Sequence, residues 1–177
     1  VTISFTSGEE LLAAKMNLLC PVLAVLSSDQ TYTNTTTPAS ATDLSFTLLA
    51  NTTYVLELHA GATSSATGHG LALAYTTTGT VALGSGLRLG NGPSTSGTTQ
   101  STSTSMHAYL YNALGAVTYG TDTAAISSGV SGITEYLTLV GGLSGGTITL
   151  QGAQATAGAA TTTTLKAGTW AILRAVA

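Results

Sequence analysis

From Val22 onward one pattern dominates the chain: short runs in which apolar residues alternate with Thr, Ser or another polar residue, punctuated by Gly, Asn or Pro. A period of two sends successive side chains to opposite faces of a strand, so such runs suit strands with one dry and one wet face. The runs that fit are residues 22–27, 31–35, 44–48, 53–59, 71–76, 80–89, 106–112, 116–119, 133–140, 147–151, 161–165 and 169–176. In Tyr54-Val55-Leu56-Glu57-Leu58 the even positions form the apolar face. Tyr136-Leu137-Thr138-Leu139 alternates less strictly and reads as a strand covered on both faces. Short strands at intervals of roughly 8–12 residues predict an antiparallel β-sandwich or barrel rather than a parallel α/β sheet. The expected core comprises Leu44, Phe46, Leu48, Tyr54, Leu56, Leu58, Leu137, Leu139, Ile148, Leu150, Trp170 and Ile172.

Composition narrows the function classes. The 177 residues suffice for one domain, and only 6% are charged, against roughly 25% in an average globular domain. Thr takes up the polar surface, and its branched β-carbon suits a pleated, half-wet sheet. Four Lys and Arg in the whole chain exclude a nucleic-acid-binding surface, because each neutralised phosphate needs a basic partner. The single cysteine, Cys20, rules out an internal disulfide. Within Leu18-Leu19-Cys20-Pro21-Val22 it reads as a small buried hydrophobe.

Ahead of the strands, Ser7-Gly8-Glu9-Glu10 has capping-box spacing and two acids for the positive end of a helix dipole. The sequence predicts one short helix over residues 8–19, stopped by Pro21. Its apolar stripe is broken only by Lys15 and Asn17, so it needs cover on more than one side. Residues 1–21 therefore read as an arm and helix that form an assembly element, with Phe5, Leu11, Leu12, Met16 and Leu19 as its interface, and residues 22–177 as the β domain. The apolar stretch over residues 11–26 is too short for a membrane span and is interrupted by Lys15, Asn17 and Pro21. Glu9 and Glu10 occupy the place of a signal peptide's basic region, so the expectation is synthesis in a cytoplasm without a targeting segment.

No chemistry-bearing constellation emerges from the spacing. Gly142-Leu143-Ser144-Gly145-Gly146 matches G-x-S-x-G, but that motif's nucleophile needs a strand-to-helix turn. Here strands flank it on both sides, which predicts a hairpin loop. Glu57 and His59 share a strand face, and with His69 or His107 they could supply metal ligands; nothing in the spacing demands it, and they read as solvent-facing or hydrogen-bonded. The remaining carboxylates are dispersed. Asn34-Thr35-Thr36 and Asn51-Thr52-Thr53 match the glycosylation sequon and read as turn residues. Residues 94–105, almost wholly Ser, Thr, Gly and Gln, read as a loop with no core of its own. The expectation is a non-enzymatic protein without cofactor or metal.

Several segments, taken in order, resemble small virion surface proteins of tailed bacteriophages. Asp29-Gln30-Thr31-Tyr32-Thr33-Asn34-Thr35-Thr36, Thr42-Asp43-Leu44-Ser45-Phe46 and Leu49-Ala50-Asn51-Thr52-Thr53-Tyr54-Val55-Leu56-Glu57 resemble three successive strand motifs of that group. Leu165-Lys166-Ala167-Gly168-Thr169-Trp170-Ala171-Ile172-Leu173-Arg174 is similar to its closing motif. Phe5-Thr6-Ser7-Gly8-Glu9-Glu10-Leu11-Leu12-Ala13-Ala14-Lys15-Met16-Asn17 looks like the opening of phage tail and fibre proteins. Together these cover about half the chain, and residues 61–132 match in composition alone. The resemblance implies a jelly-roll-like sandwich of the head-decoration or minor-tail type on the virion surface, often trimeric, partnered by capsid or tail proteins. An alternative reading is a carbohydrate- or receptor-binding module of a tail fibre, with Tyr75, Tyr109, Tyr111 or Tyr119 as sugar platforms.

Overall fold

The computed structural model describes residues 20–66, 69–91, 106–111, 114–119 and 131–176. All strand pairing within them is antiparallel. The strands are β1 (Val22–Val25), β2 (Gln30–Thr33), β3 (Ala39–Leu48), β4 (Thr52–Ser64), β5 (Leu71–Asn91), β6 (Met106–Tyr111), β7 (Val117–Tyr119), β8 (Ser131–Gln154), β9 (Thr162–Leu165) and β10 (Trp170–Ala175). The expected N-terminal helix and the loop at 94–105 lie outside the described residues.

Each expected run contains a strand among the described residues, but two pairs of runs fuse. Residues 71–76 and 80–89 join in β5, and 133–140 and 147–151 join in β8. The hairpin expected at Gly142–Gly146 is therefore not one. A hairpin would pair the two halves of β8 with each other; instead both pair along one edge with β5. On the other edge the first half pairs with β4 and the second with β3. The tight turn belongs to the β3–β4 connection, where Asn51 sits in the left-handed region (φ 53°) and its amide donates to the Gly142 carbonyl at 3.0 Å. Asn34 is left-handed too (φ 51°), so both sequon asparagines are turn residues.

This arrangement bends the sheet into two layers. One holds β1, β10, β4, the first half of β8, the second half of β5 and β6, in that order. The other holds β3, the second half of β8, the first half of β5 and β7. Leu44 and Phe46 of β3 line the same small space as Leu56 and Leu58 of β4 and Ala171 of β10, so the layers face each other across one core. Glycine makes the bend possible. A β-carbon on Gly141 would stand 2.1 Å from the Leu49 carbonyl oxygen, and one on Gly145 (φ 63°) would stand 2.4 Å from that of Leu48.

Ten of the twelve expected core residues are buried; Trp170 and Ile172 are not. In Trp170-Ala171-Ile172-Leu173 every position is apolar, so alternation carries no polar marker for the inward side. The register decides: Ala171 and Leu173 stand opposite the inward Leu58 and Leu56, which turns Trp170 and Ile172 outward. In β8, Leu137 and Leu139 point inward and Tyr136 outward, so within one chain this strand is covered on one face rather than two. Cys20 is exposed rather than buried. It stands at the rim of a cleft with Val22, Leu49 and Tyr54, at the open end of the two layers.

Candidate functional site

The assembly residues expected from sequence, Phe5, Leu11, Leu12, Met16 and Leu19, lie outside the described residues. The described ionisable groups do three kinds of work.

The first is to tie distant motifs together. Asp29, just ahead of β2, accepts hydrogen bonds from Lys166 Nζ and, at 2.8 Å, from the Ala167 amide, joining the first strand motif to the closing one. These hydrogen bonds hold its carboxyl below the usual range. Asp43 of β3 accepts from both the Ser27 hydroxyl (2.6 Å) and amide (3.0 Å), which lowers its pKa in the same way. Glu57 of β4 accepts from Arg174 of β10 at 2.8 Å and bonds His59 at 2.7 Å; the His59 bond is the main cause of its lowered pKa. The expectation that Glu57 and His59 share a face and hydrogen-bond holds. His69 bonds the Thr156 carbonyl oxygen through Nδ1 at 2.8 Å, away from that pair. Among the described residues no three His, Cys, Asp or Glu side chains gather as metal ligands.

The second is a polar cluster inside the core. Glu135 of β8 and Arg88 of β5 are cross-strand partners, both fully buried, with Arg88 Nε 3.6 Å from Glu135 Oε1. Tyr119 donates to Glu135 at 2.5 Å and Tyr75 at 2.7 Å, and the Arg88 guanidinium lies 5.7 Å from the Tyr75 ring centre. Burial, then the neighbouring carboxylate, pushes both phenols well above their ordinary pKa. Two of the proposed sugar platforms are thus core residues, because their hydroxyls are committed to Glu135. The cluster is enclosed, and its charges and hydroxyls are turned on one another. Sequence reasoning passed over it, although a signal was present: Glu135 lies in step with Ile133, Leu137 and Leu139, on the face expected to be dry.

The third kind of work is at the outer face of the first layer, which is apolar where a water-facing sheet should be polar. Cross-strand partners Leu23, Ile172, Glu57, Tyr136, Leu87 and Leu110 form one row across six strands. Val25, Trp170, His59, Thr134 and Leu89 form the next. His59 stacks on Trp170 with ring centres 4.2 Å apart, so even the imidazole adds flat surface. Glu57, flanked by His59 and Arg174, is a charge neutralised in place.

Compared with known proteins, the chain matches no family model, no curated protein and no solved structure.

Proposed function

We propose that the chain is a non-enzymatic structural protein of a bacteriophage virion, of the head-decoration or minor-tail type. It is synthesised in the host cytoplasm and assembles on the particle surface as a homo-oligomer, a trimer by resemblance, against major capsid or tail proteins. In this reading the two-layered β domain is a jelly-roll-like sandwich, and residues 1–21 are an assembly element.

The observation that carries this reading is where the resembling motifs lie. They are spread over most of the chain, yet Asp29 of the first meets Lys166 and Ala167 of the last, and Glu57 of the third meets Arg174 of the last. These scarce charges close the ends of the scaffold on each other, which supports a structural role. Carboxylates so engaged leave the outer face of the second layer to hydroxyls such as Ser45, Thr78, Thr147 and Thr149, and such a face responds little to salt.

Mass spectrometry of purified particles of the phage that encodes the chain, with immunogold labelling by an antibody to the purified protein, tests the reading. The expected result is a stoichiometric virion component labelled at regular surface positions. Its absence from particles, with the protein found only in the soluble lysate, would overturn it.

A further inference from the structure

We infer that the outer face of the first layer, built on Leu23, Ile172, Tyr136, Leu87 and Leu110, is the surface through which copies of this chain meet one another. The inference rests on the homo-oligomer part of the proposed function and not on the virion part.

The molecule carries its own control. The outer face of the second layer aligns Ser45 with Thr149 and Thr76, and Thr47 with Thr147 and Thr78. Hydroxyls bond across strands there, Ser45 to Thr149 at 2.7 Å and Thr78 to Thr147 at 2.7 Å. That is the surface this sequence makes for water. The same strands, β5 and β8, grow more apolar where they pass into the first layer: Thr76 and Thr78 give way to Leu87 and Leu89, and beside Thr134 and Thr138 the outward positions of β8 are Tyr136 and Val140. One chain following one alternation has therefore dressed its two outer faces differently.

The exposures are large. Leu110 is 83% exposed, Leu23 59%, Val25 47% and Tyr136 37%. These side chains with their half-buried neighbours present on the order of 500 Å² of apolar surface, the size at which a patch on a single chain marks an interaction site. With the polar side chains that share it, Arg174, Thr134 and Thr138, the face approaches the roughly 800 Å² that each partner gives to a standard interface. Six strands about 4.8 Å apart make it about 24 Å wide, broad enough for a sheet rather than a single peptide.

Charge favours a second copy as the occupant. Among the described residues the ionised groups on the face, Glu57 and Arg174, are paired with each other, with His59 on the second side of Glu57. Its described residues thus bring no net charge to repel a twin, whereas a partner chosen by charge would find the described charges already paired. An apolar face of this kind can meet its own equivalent about a twofold axis, or pack one part of it against another part of a neighbour's about a threefold axis, both closed arrangements of identical chains. It also gives β8 the second covered face that Tyr136-Leu137-Thr138-Leu139 suggests in sequence.

Sedimentation velocity on the full chain, at concentrations from low to high micromolar, tests the inference with three variants. Ile172→Lys and Leu110→Lys place a cation on the face, and Thr149→Lys places one on the hydroxyl face. The wild type and Thr149→Lys should sediment as the same oligomer, and Ile172→Lys should associate at least about tenfold more weakly, since like charges would be forced together. Leu110 is the more exposed site, so Leu110→Lys keeps the test valid if circular dichroism shows Ile172→Lys unfolded. An oligomer unaffected by either face variant overturns this inference and leaves the homo-oligomer standing. A wild type that is monomeric throughout overturns both. If removing residues 1–20 dissociates the oligomer while the face variants do not, the N-terminal segment makes the contact and this face does not.

Discussion

Replacing Glu135 by Gln isolates the value of one buried charge. The carboxylate accepts from Tyr119 at 2.5 Å and from Tyr75 at 2.7 Å, and it faces Arg88 Nε at 3.6 Å. Gln keeps the shape and one acceptor oxygen. One phenol can turn its hydroxyl to accept from the new amide, so the hydrogen bonds are largely retained. What disappears is the negative charge opposite a guanidinium that has no exposed surface. Removing one member of a buried pair costs about 3–5 kcal/mol, against about 0–1 kcal/mol for an exposed pair, so the two cases are well separated. With a urea m-value of about 2 kcal/mol/M for a domain of this size, the unfolding midpoint should fall by about 1.5–2.5 M. Trp170, the only tryptophan, provides the fluorescence signal. The double variant Glu135→Gln with Arg88→Met removes both charges but keeps an acceptor for the two phenols, and should recover much of the loss, because the uncompensated guanidinium is gone. A loss under about 1 kcal/mol for Glu135→Gln would refute the reasoning, since it would mean that water reaches the cluster.

Leu56→Ala, at a core position only 1% exposed, should cost about 2–5 kcal/mol in the same assay, the range for a large-to-small change in a packed core. Gly145→Ala should cost more than about 1 kcal/mol, because the residue is left-handed and its β-carbon would press on the Leu48 carbonyl oxygen; a neutral result would mean that the bend between layers is soft. The pH dependence has a definite sign. Burial raises Tyr32 to about 12 and places Tyr75 and Tyr119 well above 10. The unfolded chain therefore releases these protons first, and the stability they contribute is intact below pH of about 10 and lost as pH rises through the folded values. Spectrophotometric titration should show these tyrosines ionising together with unfolding; free ionisation near pH 10 in folded protein would contradict their burial.

The strands were legible because Thr against Leu is an unambiguous period-two code, as in β4, where the even residues from Thr52 to Ser64 are buried. The code failed where it lost contrast. In β10 each residue from Trp170 to Leu173 is apolar, and the inward side is set by cross-strand register rather than by pattern. At Gly142–Gly146 glycine signals a turn locally, but whether it reverses a chain or bends a sheet depends on Leu48 and Leu49, about a hundred residues earlier, against which Gly141 and Gly145 pack. Of the site, Glu57 with His59 was visible as a shared face. The Glu135 cluster was hidden because Arg88 lies between Leu87 and Leu89, where alternation by itself would turn Arg88 outward and the leucines inward. The apolar outer face was hidden for the same reason, since it needs six strands in register before it exists.

The central claim is that this scaffold gives one outer face to its own copies and the other to water, on the surface of a particle. Electron cryomicroscopy of the purified virion tests it most directly. The account predicts repeated densities for the two-layered domain in which Leu23, Ile172, Tyr136 and Leu110 lie against sister copies, and Ser45, Thr47, Thr147 and Thr149 face solvent. Particles whose surface holds no such density, or copies packed through the hydroxyl face with the apolar face open to water, would contradict it.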